Sequence, residues 1–248
     1  MDLTTARPRG ARVTPELILF DCDGVLIDSE VISCATDAEV LTQLGFPFTT
    51  QDIIRRFAGV PSAEMFAEIE REFGRPLPPD LDLRIQDRVL SRFREELRAL
   101  PGVAETVAAL PWRSCVVSNS MPSKLGLGLI ETRLYELFYP NIFSAALVER
   151  GKPAPDLFLY AAKEMGVQPE RCIVVEDSVV GVTGARAAGM LALGFVGGAH
   201  CPDDQSNSLR SAGAELVFDS FAQLPGIIGH LSGRALAVQA GRRRHGSG

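Results

Sequence analysis

Short continuous apolar runs recur along this chain, most of them ending on polar side chains, and this pattern constrains the fold more than any other feature. Leu17-Ile18-Leu19-Phe20 runs into Asp21, Cys115-Val116-Val117 into Ser118-Asn119, Ile173-Val174-Val175 into Glu176-Asp177, and 191–196 into Gly197-Gly198. An apolar run without polar alternation is how a strand covered on both faces of a parallel sheet reads. Helical patterns over 122–134, 156–165 and 178–188 lie between these runs, each bounded by Pro, Gly or a capping residue. Strands alternating with helices imply βαβ units, so the expected fold class is α/β with a doubly wound parallel sheet.

The stretch 30–100 breaks that alternation. Val31, Cys34, Ala38, Leu41 and Leu44 fall at spacings of three and four before Gly45, and Met65, Phe66, Ile69 and Phe73 do the same before Gly74. This reads as an inserted α-helical cap, with a charged, solvated face on its last helix and a turn at Pro101-Gly102 where the chain returns to the sheet. The expected organisation is a core of 16–29 and 101–232 and a cap of 30–100, flanked by disordered ends at 1–15 and 233–248.

Charge distribution limits the partners. The formal net charge is −6, but Arg7, Arg9 and Arg12 at the start and four Arg beyond residue 232 leave 18 basic against 30 acidic residues for 16–232. Such a body repels nucleic acid and anionic membrane, and Arg242-Arg243-Arg244 reads as part of a solvated tail. No run of about 18 apolar residues suggests a membrane span, and the first fifteen residues lack the apolar core of a secretory signal. Five scattered cysteines without a C-x-x-C spacing read as reduced thiols, so a cytoplasmic protein is expected and a zinc site is not.

In an open parallel sheet, ligands bind beyond the carboxyl ends of the strands, so residues directly after the apolar runs should converge. Those residues are Asp21 and Asp23, Ser118 and Asn119, Lys152 (reached from a strand over 142–148 through a Gly-containing loop), and Glu176 and Asp177. Singly each has a structural reading, since acids and hydroxyls also cap helices and a lone lysine is usually solvated. Together, four carboxylates repel one another unless a cation joins them, and all-oxygen ligation points to Mg²⁺. Magnesium invites phosphate. Lys152, Ser118 and Asn119 would then hold the phosphate oxygens, Asp21 would serve as a carboxylate nucleophile, and Asp23, on the same side of an extended chain, would act as acid and base.

The chain resembles the haloacid dehalogenase superfamily, in particular its cap-bearing sugar-phosphate phosphatases and β-phosphoglucomutase-like members. The likeness spans about residues 16–230 and rests on the segments 20–30, 116–120, 151–156 and 174–178. By that resemblance Asp21 is nucleophile and metal ligand, and Asp23 is acid/base and ligates through its carbonyl. Ser118 and Lys152 hold phosphate, and Glu176 with Asp177 completes the Mg²⁺ site. Asp23 argues against dehalogenation and phosphonate cleavage, whose enzymes lack it.

The expected activity is Mg²⁺-dependent hydrolysis of a small phosphorylated sugar, polyol or sugar acid, and the alternative is a phosphomutase. The mutase's histidine is Ser33 here, and the arginine after its Gly-Val-Ser segment is Ser62, following Gly59-Val60-Pro61; Arg55, Arg56 and Arg75 are candidates to replace that arginine. A phospho-accepting signalling module is the remote alternative, opposed by motif order and by the insertion. Asp28 reads equally as a cap of the first inserted helix or as a hinge or substrate contact, Glu30 is left without a role, and His200 reads as structural.

Overall fold

A computed structural model describes residues 14–57 and 60–233. The expected disordered ends, including the Arg242-Arg243-Arg244 run, lie outside those residues except for 14, 15 and 233, and so does Gly59. The elements are β1 (Leu17–Phe20), α1 (Ser29–Gln43), α2 (Thr50–Phe57), α3 (Ser62–Phe73), α4 (Leu81–Glu96), α5 (Val103–Ala109), β2 (Arg113–Ser118), α6 (Pro122–Glu131), α7 (Tyr135–Phe138), β3 (Ile142–Ser144), α8 (Asp156–Glu164), β4 (Cys172–Glu176), α9 (Val179–Ala187), β5 (Leu191–Phe195), α10 (Gln205–Ala212), β6 (Leu216–Phe218) and α11 (Leu224–Ser232).

All strand pairs are parallel and the sheet order is β3-β2-β1-β4-β5-β6. The chain winds outward from β1 to β3, then returns to the other side of β1 with β4. The switch point therefore lies between β1 and β4, where a crevice opens at the strand ends. Alternate strand residues face two layers. Ile18, Phe20, Val116, Ile173 and Val175 join one apolar cluster, while Leu19, Cys115, Val117, Cys172 and Val174 join the other, with Phe158 of α8 and Val182 of α9. Burial on both faces explains the unbroken apolar runs.

Two strands differ from expectation. The run expected as a strand over 142–148 pairs only through Ser144 and then turns as a 3-10 helix over Ala145–Leu147, because Ser144 Oγ accepts from the Ala146 N–H and donates to the Ser120 carbonyl. The third residue-pair of that strand is thus also a cap. The three-residue edge strand β6 is too short to carry a periodic signal of its own.

Among the described residues, four helices and no strand lie between β1 and α5. Phe46 and Phe73 meet edge-on at 5.2 Å, and Phe48 meets Phe57 and Phe73, so the connection between α1 and α2 shares an aromatic centre with α2 and α3. Charged α4 buries Leu81, Ile85, Val89 and Phe93 along one face. The insertion leaves and rejoins the sheet through two adjacent backbone crossings, with the Asp28 N–H donating to the Arg98 carbonyl and the Leu100 N–H to the Leu26 carbonyl, both at 3.0 Å.

Phe221 is fully buried against Phe20 and Phe195 beneath the sheet. Phe221→Ala is expected to lower unfolding free energy by about 3–5 kcal/mol, the usual cost of deleting a core phenyl ring. Urea titration should show a lower midpoint with an unchanged slope.

Candidate active site

The backbone first aims the acids. The Asp21 N–H donates to the Val175 carbonyl at 3.0 Å, extending the β1–β4 ladder by one residue and fixing the aspartate at the switch point. The chain then turns through Gly24, whose φ of +76° is left-handed and whose missing Cβ would sit 2.0 Å from Asp177 Oδ2. Glycine is needed there for both conformation and space. After β4, Ser178 caps α9 by accepting from the Gly181 N–H at 3.0 Å and donates to Glu176 Oε2 at 3.0 Å. A Cβ on Gly181 would lie 1.9 Å from the Glu176 carboxyl carbon. The tight start of α9 thus seats this side chain.

Lys152 joins the strand ends. Its Nζ donates to Asp21 Oδ1 at 2.6 Å, to the Val117 carbonyl at 2.9 Å and to Glu176 Oε1. The loop carrying it is clamped by Asn119, whose Nδ2 donates to the Lys152 carbonyl at 3.0 Å while its Oδ1 accepts the Lys152 N–H at 2.9 Å. The Asn119 amide therefore works first on the lysine's main chain.

Asp23 lies beside this group with different partners. It accepts from Ser29 Oγ and Ser120 Oγ, each at 2.6 Å, and pairs with Lys124 Nζ at 3.1 Å. Ser118 Oγ accepts the Ser120 N–H at 3.0 Å and stands 3.5 Å from Asp23 Oδ2.

These environments separate the carboxyls. Burial pushes Asp21 well above the carboxylate range, although Lys152 pulls the other way. Burial likewise raises Glu176 against the same lysine. For Asp23 burial is outweighed by the Lys124 charge and the two serine hydroxyls, which hold it below its ordinary value. Burial would also lower Lys152, but Asp21 and Glu176 raise it, so it stays protonated.

Carboxylate oxygens of Asp21, Glu176 and Asp177 lie within 4.8 Å of one another, and all three residues are buried. Lys152 faces Asp21 and Glu176 and His200 faces Asp177, so two cations meet three buried acids and one negative charge is left over when all three are ionised. An all-oxygen donor set at this spacing, in a pocket that only glycines at 24 and 181 leave open, fits a hard divalent cation.

A cavity of about 600 Å³ opens over Asp21, Asp23, Ser118, Lys152 and Asp177, and Ile54, Arg55, Val60, Pro61 and Ser62 of the inserted segment cover it. Six of the seven residues singled out from the sequence line this cavity; Glu176 is fully buried behind Lys152. Glu30 also lines it, and burial raises its carboxyl despite Lys124.

His200, expected to be structural, is buried in the cavity wall with Nε2 2.8 Å from Asp177 Oδ2. Burial would lower the ring's pKa, but the bond to Asp177 outweighs it and raises it to about 11.

Asp28 opens α1 without a side-chain capping bond, and its Oδ1 is buried without a partner. Arg56 is occupied by Glu68 and Glu72, and Arg75 lies 3.9 Å over the Phe46 ring, so neither faces the cavity. Ser29 and Ser120 lie within the segments 20–30 and 116–120 but carry no role in the sequence reading, and Lys124 has no signal there; Ser120 is 97 residues from Asp23, and only folding joins them.

Comparison with known proteins agrees with the fold. Residues 15–189 match the haloacid dehalogenase-like hydrolase family. The chain belongs to that family. It is 32% identical to 6-phosphogluconate phosphatase of Escherichia coli (strain K12) over 186 residues, covering 75% of this chain and 84% of that protein. Its structure resembles a haloacid dehalogenase-like protein from Agrobacterium tumefaciens str. C58, with a TM-score of 0.83, 37% identity and coverage of 88% and 99% of the two chains. It also resembles a haloacid dehalogenase family hydrolase from Deinococcus radiodurans R1 solved with bound phosphate and sodium, with a TM-score of 0.77, 32% identity and coverage of 88% and 97%. As a haloacid dehalogenase-like hydrolase the chain is an enzyme, and its six-stranded parallel sheet is the family's core.

Behind this site, Glu30, Ser33 and Asp37 share one face of α1, and burial together with the neighbouring Glu30 raises the Asp37 carboxyl from 3.8 to about 7. A raised acid favours the folded state while protonated, so stability should fall as pH rises from about 4 through about 7. Asp37→Asn should flatten that fall, with little difference from the parent at pH 4 and a higher melting temperature than the parent at pH 8.

Proposed function

We propose that this enzyme is a Mg²⁺-dependent phosphomonoesterase that hydrolyses a small phosphorylated sugar, polyol or sugar acid through an aspartyl-phosphate on Asp21. The observation that carries this reading is the Lys152 ammonium bonded to both Asp21 and Glu176 beneath a cavity of about 600 Å³. The relatives named above, one a phosphatase of a sugar-acid phosphate and another holding phosphate, support it.

Asp21, Glu176 and Asp177, with the Asp23 carbonyl, would hold the ion. When bound, Mg²⁺ supplies positive charge to the phosphate oxygens and offsets the repulsion among these carboxylates. Lys152 and Ser118 bind the phosphoryl oxygens as charge shifts among them. Asn119 keeps Lys152 in place through its main chain.

In the first step an Asp21 oxygen bonds to phosphorus and the phosphorus–oxygen bond to the leaving group breaks, Asp23 giving that oxygen its proton. In the second, Asp23 takes a proton from water, the water oxygen bonds to phosphorus, and inorganic phosphate leaves as the Asp21 carboxylate is restored. Lys124, Ser29 and Ser120 favour the ionised form of Asp23, which suits the second step. An arriving phosphate dianion favours the protonated form needed in the first.

The inserted helices act as a cap that excludes bulk water and meets the leaving group. Among the described residues no helix is long and apolar enough to cross a membrane, and the reading takes the partner to be a cytoplasmic metabolite, with neither nucleic acid nor membrane. Capture by water rather than by a second sugar hydroxyl is favoured because Ser33 replaces the mutase's histidine and Arg55 is already paired with Asp52 at 3.0 Å.

Phosphate release from a panel of phosphorylated metabolites is expected to require Mg²⁺, to stop with chelator and to return on adding the ion. Asp21→Asn should lower it by about three orders of magnitude or more, and Asn119→Ala by about 10–100-fold as Lys152 loses its clamp. Phosphorus NMR with β-glucose 1-phosphate should show inorganic phosphate; an isomerised hexose phosphate instead would establish the mutase.

A further inference from the structure

A second cavity of about 320 Å³ adjoins the first and shares Ser62, Asn119 and Ser120 with it. It lies between α1, α4 and the start of α6, and no step described above uses it. Its volume is within the roughly 300–1,000 Å³ typical of small-molecule sites.

The wall of this chamber is rich in acceptors. Ser33 and Asp37 come from α1, and Asp82 and Gln86 from α4, where Gln86 Nε2 donates to Asp82 Oδ2 at 2.6 Å and fixes both side chains. Ser33 also lines the chamber, and its Oγ is buried with no hydrogen-bond partner among the described residues. The only Lys or Arg among its described lining residues is Lys124, which is committed to Asp23 at 3.1 Å. In the main cavity, Arg55 is 76% exposed and paired with Asp52.

Asp82 is satisfied by groups that donate hydrogen bonds, and the Asp37 carboxyl, raised to about 7, both accepts and donates them near neutral pH. Substrate hydroxyls donate and also accept from Ser33 and Gln86, whereas a second carboxylate or phosphate brings acceptors and like charge without an uncommitted cation to receive it.

We propose that this chamber receives the far end of the leaving group, and that it selects an uncharged polyhydroxylated tail over an anionic one. The proposal rests on the phosphatase reading and narrows its substrate class to neutral sugar and polyol phosphates. Ser33, Asp37 and Gln86 are then specificity residues that touch hydroxyls several bonds from phosphorus.

The test uses the full chain with Mg²⁺ and three substrates: a hexitol 6-phosphate, the aldonic acid 6-phosphate of the same carbon number, and phenyl phosphate, which has no distal hydroxyls. The parent is expected to prefer the hexitol ester over the aldonic ester by about tenfold or more in kcat/KM. Asp37→Asn and Ser33→Leu should each lower the ratio of hexitol to phenyl ester kcat/KM by about tenfold, mostly through KM. Asp37→Asn should also narrow the gap between hexitol and aldonic esters.

Equal use of the two six-carbon esters by the parent, a preference for the aldonic one, or unchanged hexitol-to-phenyl ratios in both variants would overturn the chamber's role. Phenyl phosphate separates the two levels: if the parent hydrolyses it but shows no hexitol preference, only the chamber proposal fails, whereas hydrolysis of none of the three counts against the phosphatase reading itself. Thermal melts of both variants guard against misfolding, and the parent comparison stands without them.

Discussion

Lys152 Nζ reaches Asp21 Oδ1, the Val117 carbonyl and Glu176, so one buried ammonium ties together the ends of β1, β2 and β4. Without it, Asp21 and Glu176 would be adjacent carboxylates with almost no solvent, and one would have to protonate or swing away. With it, the pair keeps a fixed geometry and the cavity keeps a floor. The cost of burying these charges falls on three neighbouring strands held in register by the parallel ladder. The reactive edge of the sheet is also the place where its electrostatics are least self-sufficient, which is why a cation fits there.

A second lysine does a comparable job one layer higher. Lys124 on α6 pairs with Asp23 and lies 5.8 Å from the ring centre of Phe93 on α4, so it touches the core carboxylate and the inserted helices at once. Its ammonium is held protonated, because Asp23 and Glu30 outweigh the effect of burial. The two lysines divide the acids into separate groups, Asp21 with Glu176 and Asp23 with Glu30. Both lysines pull their acids down, but burial outweighs Lys152 at Asp21, whereas Lys124 with Ser29 and Ser120 outweighs burial at Asp23, so these two acids, two residues apart, shift in opposite directions.

Small residues make that crowding possible. The Asp177 carboxylate occupies the space a Gly24 side chain would need, and the Glu176 carboxyl occupies that of Gly181. His200 closes the far side through Asp177, and Gln205 of α10 donates to the Asp177 carbonyl, so an element remote in sequence braces the last acid.

Much of this was legible in the sequence. The unbroken apolar runs specify strands buried on both faces, and the polar residue after each run specifies what the crevice holds, because a parallel strand delivers its next side chain to the same edge of the sheet. The helical spacing over 30–100 likewise reads as helices, and α1 to α4 lie there. Tertiary structure alone decided that Ser120 and Lys124 flank Asp23, that His200 reaches Asp177, that Asn119 clamps the lysine loop, and that α1 and α4 enclose a second chamber. Those outcomes depend on how helices and loops lie across the sheet, through contacts spanning tens of residues. Local spacing encodes which face a side chain takes on its own element, whereas its neighbour across the fold is fixed only when the elements pack.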